Sequence, residues 1–206
     1  MKNIYKKFRI IALIAVIVFG VTACGSDSGG NNDPKITMTT TVSGNTCIWL
    51  LGTGKATIDW GDGNSEEVTL TDSNDLGDLW DDKFEHTYAS DASKTITITG
   101  NVTGLATGYT EKASALNVSG MPGLKFLEAC YEVLTELDPS KNTALEFLNC
   151  AVNQLEADAL NAIFTALPPK DNFGDGYIRV TGNPGVNKGV YNKTIATAKN
   201  WDVKED

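Results

Sequence analysis

The chain has 206 residues, of which 17 are lysine or arginine and 26 are aspartate or glutamate, so its formal net charge is −9. An acidic surface repels phosphate backbones, which excludes nucleic acid as an expected partner. A single histidine and four cysteines leave few side chains for metal binding or nucleophilic catalysis, so we expect neither an enzyme nor a bound cofactor.

Residues 1–23 have the order of charge and hydropathy that is typical of an export signal. Four basic residues lie within the first nine positions, and an apolar run follows over residues 10–21. A spanning helix needs about 20 apolar residues, so this run fits the core of a signal peptide instead. The segment Val21-Thr22-Ala23-Cys24 resembles the bacterial lipobox, and this resemblance implies that Cys24 is acylated and becomes the mature N-terminus. An ordinary secretory signal peptide with a chance cysteine is the alternative.

Residues 24–33 are rich in Gly, Ser and Asn, which predicts a flexible tether. Removal of residues 1–23 leaves 13 basic and 26 acidic residues, a net charge of −13, so the lipid rather than the protein surface is expected to hold the chain at a membrane. Asp27 and Asp33 soon after the cysteine resemble the surface-export signals of Bacteroidetes lipoproteins. This resemblance implies an outer-membrane lipoprotein of the cell envelope, with display on the cell surface as one outcome.

Residues 34–100 alternate in the period of β-strands. Four segments combine β-branched side chains with apolar–polar alternation or a short apolar run, and Gly or Asn stands near several of their ends: residues 36–42, 47–51, 56–60 and 95–99. Short strands separated by turn residues are typical of a small β-sandwich.

Two motifs in this region favour a particular kind of sandwich. In Trp60-Gly61-Asp62-Gly63 the Asp-Gly pair suits a tight turn between two strands. Together with His86-Thr87-Tyr88 it resembles PKD-type immunoglobulin-like domains, which implies a PKD-like sandwich. A catalytic role of His86 with Asp62 is the alternative. Because no serine or cysteine motif accompanies this pair, we expect a structural role in the turn and in strand packing.

An acidic loop follows the third predicted strand and is a candidate calcium site. Its acidic residues are Asp72, Asp75, Asp78, Asp81 and Asp82. An EF-hand template that begins at Asp72 would place Leu76 at a ligand position and Lys83 where the bidentate glutamate belongs. The sequence therefore favours a solvated loop without metal.

Residues 101–206 contain an internal repeat. Residues 145–155 have the pattern L-x-x-L-x-C-x-x-N-x-L, and residues 124–134 repeat its spacing 21 positions earlier with Ala129 and Glu132 in place of the cysteine and the asparagine. The pattern resembles the leucine-rich repeats of Bacteroidetes surface lipoproteins. This resemblance implies a short solenoid of parallel strands, in which asparagine side chains bond backbone groups at each turn.

The residues on either side of the two full repeats are predicted to form the first and last units of the solenoid. Residues 102–107 and 178–185 are partial copies of the strand half of the repeat. Apolar residues at helical spacing predict a helix over 158–167, ended by two prolines, and residues 193–201 predict a closing helix or turn. The predicted fold class is mainly β with some α: a small PKD-like β-sandwich over 34–100, followed by a leucine-rich-repeat domain with a C-terminal cap over 101–206.

Strand alternation predicts which side chains of the repeat could meet a ligand. If the aliphatic rungs Leu105, Leu127, Leu148 and Ile178 point inward and touch one another, their strand neighbours point outward. The predicted ligand-binding residues are Phe126, Glu128, Phe147, Asn149, Tyr177 and Arg179. The three aromatic residues would form an exposed stripe, which favours a contact surface. The alternative is that the helix at 158–167 or the sandwich covers this stripe.

The same register separates the cysteines. Cys130 and Cys150 would leave opposite faces of the sheet, which disfavours a disulfide between them. We expect Cys47 to be a small buried apolar residue.

These patterns lead to a functional expectation. The chain is predicted to be a non-catalytic, monomeric, lipid-anchored cell-envelope protein that acts as a protein–protein interaction or adhesion module through its repeats, with an extracellular protein or glycan as partner. The alternative is a carbohydrate-capturing accessory surface lipoprotein that uses Trp49, Trp80 or Tyr177 as stacking platforms. A glycosidase is disfavoured because the acidic residues cluster in loops without a cleft motif.

Overall fold

Ten strands, one 3-10 helix and three α-helices follow one another along residues 34–108 and 112–205, the part of the chain that the computed structural model describes. The predicted signal peptide, the tether and the lipidation site Cys24 lie outside the described residues. The fold is mainly β with few helices, and its strands form one mixed sheet, so the predicted fold class is confirmed at this level.

The elements have the following bounds. The strands are β1 (Lys35–Thr40), β2 (Gly44–Asp59), β3 (Ser65–Thr69), β4 (Lys83–Tyr88), β5 (Lys94–Ala106), β6 (Ala113–Asn117), β7 (Phe126–Glu128), β8 (Phe147–Asn149), β9 (Gly176–Arg179) and β10 (Trp201–Lys204). The helices are the 3-10 helix Leu76–Trp80, α1 (Ala157–Ala166), α2 (Pro184–Asn187) and α3 (Thr194–Thr197).

Strand β5 connects an antiparallel part of the sheet to a parallel part. Residues 94–99 of β5 pair antiparallel with β1, and residues between 97 and 106 pair antiparallel with β2. Residues 104–106 also pair parallel with β7. Beyond β7 the order continues through β8 and β9 to β10, all parallel. The boundary predicted between residues 100 and 101 therefore falls inside β5, and the two predicted parts share this strand; their division into two domains stays a prediction.

Strand β2 replaces two strands that the sequence predicted separately, over 47–51 and 56–60. Its register against β5 shifts between Leu51 and Gly52 and again between Thr53 and Ala56. Gly52 permits the first irregularity, because a Cβ atom there would lie 2.1 Å from the carbonyl oxygen of Asn101. A glycine at such a bulge lets two backbones approach closely, so Gly52 bends the strand where the sequence suggested that it ended.

The predicted rungs align in the parallel part. Leu105 pairs with Leu127, Leu127 with Leu148, and Leu148 with Ile178, and all four side chains are buried. They belong to the main core, to which α1 contributes Leu160, Ile163 and Phe164. The register prediction is therefore confirmed, as is the helix, which spans Ala157–Ala166 and ends before Pro168.

A polar side chain in the turn after each of β7, β8 and β9 forms hydrogen bonds with the backbone of the preceding repeat. Asn153 Nδ2 donates to the carbonyl oxygen of Ala129 at 2.8 Å, and its Oδ1 accepts from the Leu134 N–H at 2.9 Å. Asn183 makes the equivalent bonds to Cys150 O and Leu155 N one repeat later. Glu132 stands at this position in the preceding repeat and accepts from the Ala113 N–H. The predicted asparagine ladder is confirmed.

The C-terminal end agrees with the prediction up to its last strand. The sequence predicts a closing helix or turn over residues 193–201, and residues 193–200 form α3 with turns on either side of it, but β10 begins at Trp201 and was not predicted. Gly176 on β9 makes room for the Trp201 indole, since a Cβ atom at residue 176 would lie 2.6 Å from the ring. The buried Trp201 also donates from Nε1 to the carbonyl oxygen of Pro168 at 2.7 Å. These contacts explain why the chain adds another parallel strand.

Candidate interaction surface

The candidate surface is the face of the parallel strands opposite to the buried rungs, which we call the open face. Successive residues of a strand point to opposite sides, so the residues before and after each rung lie on this face. Paired backbone positions align Gly104, Phe126, Phe147 and Tyr177 in one column. A second column contains Ala106, Glu128, Asn149 and Arg179. The structure therefore places all six predicted site residues on two adjacent columns.

The aromatic column is only partly open. Phe126 is 5% exposed, so the prediction that it belongs to an exposed stripe is wrong. Phe147 and Tyr177 are half-buried, and their rings stack with centroids 5.4 Å apart and planes 3° apart. The accessible aromatic surface of this column is thus one stacked pair rather than three rings.

The 3-10 helix Leu76–Trp80 covers the other end of the column. Its Leu79 is fully buried and lies against Gly104, where a Cβ atom would be 3.2 Å from the leucine Cδ1. Leu79 and Phe126 form a second, smaller core cluster with Leu51 and Ala106. The Lys125 side chain also bonds Asn74, which ties the start of this loop to the parallel part. The cover comes from the antiparallel part and from a loop that the sequence suggested was solvated.

The polar column is preorganised. The carboxylate of Glu128 is buried and accepts hydrogen bonds from Asn149 Nδ2 and from the Cys130 thiol, the latter at 2.9 Å. Burial raises the pKa of Glu128, while these two bonds and the charge of Arg179 act in the opposite direction. Asn149 is also buried, whereas Arg179 is exposed. Within the polar column, Arg179 on β9 is therefore the residue that is accessible to a partner.

The three cysteines of residues 34–108 and 112–205 are free, in agreement with the expectation of no disulfide between Cys130 and Cys150. Burial and the Glu128 carboxylate raise the pKa of the Cys130 thiol, and burial raises that of Cys150 to about 12. Both thiols are thus poor nucleophiles at neutral pH. Cys47 is half-buried, so the prediction that it is a buried residue is wrong. It lies on β2, which pairs there with the edge strand β4.

Two exposed residues in the turns after β7 and β8 have backbone conformations that are unfavourable for residues with a Cβ atom. Tyr131 and Val152 have φ angles of 56° and 52°, and Gly182 has 75° at the same position of the next repeat. Tyr131 is 47% exposed and Val152 is 38% exposed. A bulky or β-branched residue in the left-handed region costs of order 1 kcal/mol. Sequence reasoning missed this pair, although the glycine at 182 was a signal for the backbone conformation.

The alternative stacking platforms do not form one site. Trp49 and Trp80 make an edge-to-face pair with ring centroids 5.2 Å apart, and Lys83 Nζ lies 5.7 Å from the centre of the Trp49 ring. Tyr177 lies on β9, four strands away from β2 across the sheet. At about 4.8 Å per strand this separation is roughly 19 Å. A single sugar ring could therefore contact the tryptophan pair or Tyr177, but not both.

The remaining motif residues hold a turn. The His86 ring stacks on Trp60 with centroids 5.0 Å apart, and its Nε2 lies 2.7 Å from Asp62 Oδ2. The Tyr88 hydroxyl donates to the Trp60 carbonyl oxygen at 2.7 Å. These contacts link the end of β2 to β4, as the structural prediction for His86 and Asp62 requires. Within the described ranges, no group of three or more acidic, histidine or cysteine side chains is placed to hold a metal ion.

No family model, curated protein or solved structure matches the chain. In the part of the chain with described coordinates, no helix is both long enough and apolar enough to cross a membrane.

Proposed function

We propose that the protein is a non-catalytic, lipid-anchored cell-envelope module that binds a protein partner through the open face of its parallel strands. In this proposal the antiparallel part is a PKD-like β-sandwich, the parallel part is a short leucine-rich-repeat solenoid, and Cys24 carries the lipid. The observation that carries the proposal is the stacked Phe147–Tyr177 pair beside the exposed Arg179, held on strands whose opposite side chains are buried in the core.

Aromatic and arginine side chains at the centre of a patch are the groups that most often dominate protein–protein binding energy. The aromatic pair offers apolar area, and the exposed Arg179 offers a planar donor. Strand positions hold these groups more rigidly than a loop would, so less conformational entropy is lost on binding.

A carbohydrate ligand is the second candidate, and the exposed Trp80 next to Trp49 favours it. Sugars contact the faces of aromatic rings. Phe147 and Tyr177 each turn one ring face to the other, so they offer less of this surface than two separate rings would. Trp80 is the platform that a glycan would use, and it lies on the 3-10 helix rather than on the parallel strands.

A photo-crosslinking amino acid at position 177 tests the proposal on cells that produce the full chain. The matched control has the same amino acid at Phe173, which is 65% exposed but lies in the loop before β9. We expect a discrete protein adduct from position 177 that is absent from position 173 and is lost when Phe147→Ala is added. Equal adducts from both positions would refute the open face as the binding site. Binding on a glycan array that requires Trp80 would support the alternative.

The lipid anchor has its own test. Mass spectrometry of the protein from membranes is expected to find acylation at residue 24 in the wild type, and Cys24→Ser is expected to abolish it. An unmodified cysteine in the mature wild-type protein would contradict the anchor without affecting the open face. Protease treatment of intact cells then reports whether the folded part lies outside the outer membrane.

A further inference from the structure

Strand β10 is the last strand of the sheet. It pairs parallel with β9 over residues 201–204, and within residues 34–108 and 112–205 no strand pairs with its other side. A strand edge of this kind presents backbone donors and acceptors to which another strand can add. Its short length and its charged side chains limit such pairing to partners with complementary charges.

The hydrogen bonds between β10 and β9 show which backbone N–H and C=O groups of β10 point away from β9. The Val180 N–H donates to the carbonyl oxygen of Lys204 at 3.0 Å, so the peptide groups of Lys204 face β9. Successive residues of a strand alternate in this direction, which turns the N–H and C=O of Val203 and Trp201 away from β9. Val203 therefore lies at the centre of the open edge with both backbone groups directed outward.

The side chains of β10 divide between the two sides of the sheet. Asp202 pairs with Tyr177 and Lys204 with Arg179, which places both charges on the open face. The two charged groups lie 2.9 Å apart. Val203 points to the core side and is half-buried.

We propose that β10 pairs with β10 of a second copy of this chain in antiparallel orientation, with the two-fold axis between the two Val203 residues. Each Val203 N–H then donates to the Val203 carbonyl oxygen of the other copy. Asp202 of one copy stands directly opposite Lys204 of the other, and this happens twice because of the symmetry. Opposite charges at such a non-hydrogen-bonded pair are close and favourable.

The charges select this register over its neighbour. Moving the axis to Asp202 would also let the outward backbone groups bond, since Trp201 would then face Val203 of the second copy. It would place the two Asp202 carboxylates directly opposite each other, which is unfavourable. Of these two registers, only the one centred on Val203 both lets the outward backbone groups form hydrogen bonds and places opposite charges next to each other.

The interface would be small. Four residues from each copy bury far less than the roughly 1,200 Å² that is typical of stable complexes, so the association is weak and the monomer expected from the sequence dominates in dilute solution. Confinement at a membrane raises the effective concentration into a range where weak pairing matters. The two open faces would lie side by side on the same side of one sheet, which gives a bivalent surface. The pairing itself requires neither the lipid nor the proposed ligand.

Charge exchange tests the pairing by sedimentation velocity on residues 24–206, the chain expected after removal of the signal peptide, at up to about 1 mM protein with reductant. We expect reversible dimers of the wild type, and monomers of Asp202→Lys alone and of Lys204→Asp alone. An equimolar mixture of these two variants is expected to dimerise again, because each then supplies the charge that the other lacks. A chain carrying both exchanges is expected to dimerise as well. A wild type that stays monomeric over this range would overturn the proposal, as would single variants that associate like the wild type.

A backbone variant gives a test that does not depend on charge. The Val203 N–H faces away from β9, so Val203→Pro removes a donor at the open edge without breaking a bond to β9. We expect this variant to stay monomeric while a cooperative urea transition shows that it is folded, whereas the matched Val203→Thr associates like the wild type. Dimers of Val203→Pro with undiminished affinity would place the contact elsewhere and refute the proposal.

Discussion

The antiparallel and parallel parts of the sheet obtain their stability in different ways. Strands β2 and β5 are 16 and 13 residues long, whereas β7 to β10 have three or four residues each. A long strand can form many backbone hydrogen bonds with a single neighbour, whereas a strand of three or four residues forms few and depends on side-chain contacts with the adjacent units. The parallel part therefore concentrates its free energy of unfolding in rung contacts and in the buried asparagine ladder.

Substitution of a central rung should reduce stability more than any other single change in the parallel part. Leu148→Ala removes contacts with Leu127 on one side and Ile178 on the other, so we expect a loss of about 2–5 kcal/mol in the free energy of unfolding, measured by urea denaturation. Leu70→Ala, just after the edge strand β3, is the matched control and should cost less. An equal or larger loss at Leu70 would contradict the dependence of the parallel part on its rungs.

The ladder is the next largest contribution. Asn153→Ala leaves the buried Leu134 N–H and the Ala129 carbonyl oxygen without this side chain as a partner, and we expect it to cost about 1–3 kcal/mol. Asn64→Ala is the control in the antiparallel part, because Asn64 is exposed; its cost is expected to stay within about 0.5 kcal/mol. If calorimetry gave the two variants the same unfolding temperature, the ladder would not carry the stability assigned to it.

The two parts also differ in how a carboxyl group responds to pH. Burial raises the pKa of Glu128 in the parallel part, so its contribution to stability falls as pH rises from its usual value of 4.5 through its folded-state value. For Asp62 in the antiparallel part, desolvation acts to raise the pKa, but hydrogen bonds from His86 and Asn64 outweigh it and lower the pKa below 3.8. Its contribution is present above pH 3.8 and is lost as pH falls through the lowered value.

Urea midpoints between pH 3 and pH 7 check these two signs. Glu128→Gln should gain stability relative to the wild type as pH rises, because the amide oxygen still accepts the two bonds without a buried charge. Asp62→Asn should lose stability relative to the wild type over the same interval. Parallel pH profiles for the two variants would contradict the opposite environments of these carboxyl groups.

A smaller change in stability is expected at Val152, whose backbone conformation is unfavourable for a β-branched residue. Val152→Gly relieves a β-branched side chain at a φ angle of 52°, but it also frees the unfolded chain, so we expect a net change between zero and about 1 kcal/mol of stabilisation. Val152→Ala keeps most of the strain and is the matched control. If Val152→Gly lowered the free energy of unfolding by more than about 1 kcal/mol, the Val152 side chain would be stabilising the fold through packing.

The sequence predicted those parts of the structure that follow from the 21-residue repeat or from the alternation of side chains along a strand. The 21-residue spacing placed Leu127 above Leu148, and strand alternation then assigned Phe147 and Asn149 to the other face. The asparagine at position 153 was readable because its backbone partners lie in the same and the preceding repeat. Local patterns encode register directly, so these elements needed no knowledge of distant segments.

The parts that the sequence did not predict depend on contacts between distant segments. Leu79 covers Phe126 although 47 positions separate them in the chain, and neither side chain has a pattern that names the other. Gly52 was interpreted as a strand end because its role depends on Asn101. The strand β10 is too short for a recognisable alternation, and Trp201 fits there only because Gly176 leaves room.

Hydroxyl-radical footprinting of the free protein separates the covered end of the open face from its accessible end, because it compares three aromatic residues of one column in a single experiment. We predict that Tyr177 and Phe147 are oxidised readily while Phe126 is protected beneath the 3-10 helix Leu76–Trp80. Oxidation of Phe126 at the rate of Phe147, or protection of all three side chains, would contradict the division of this face into a covered end and an open end.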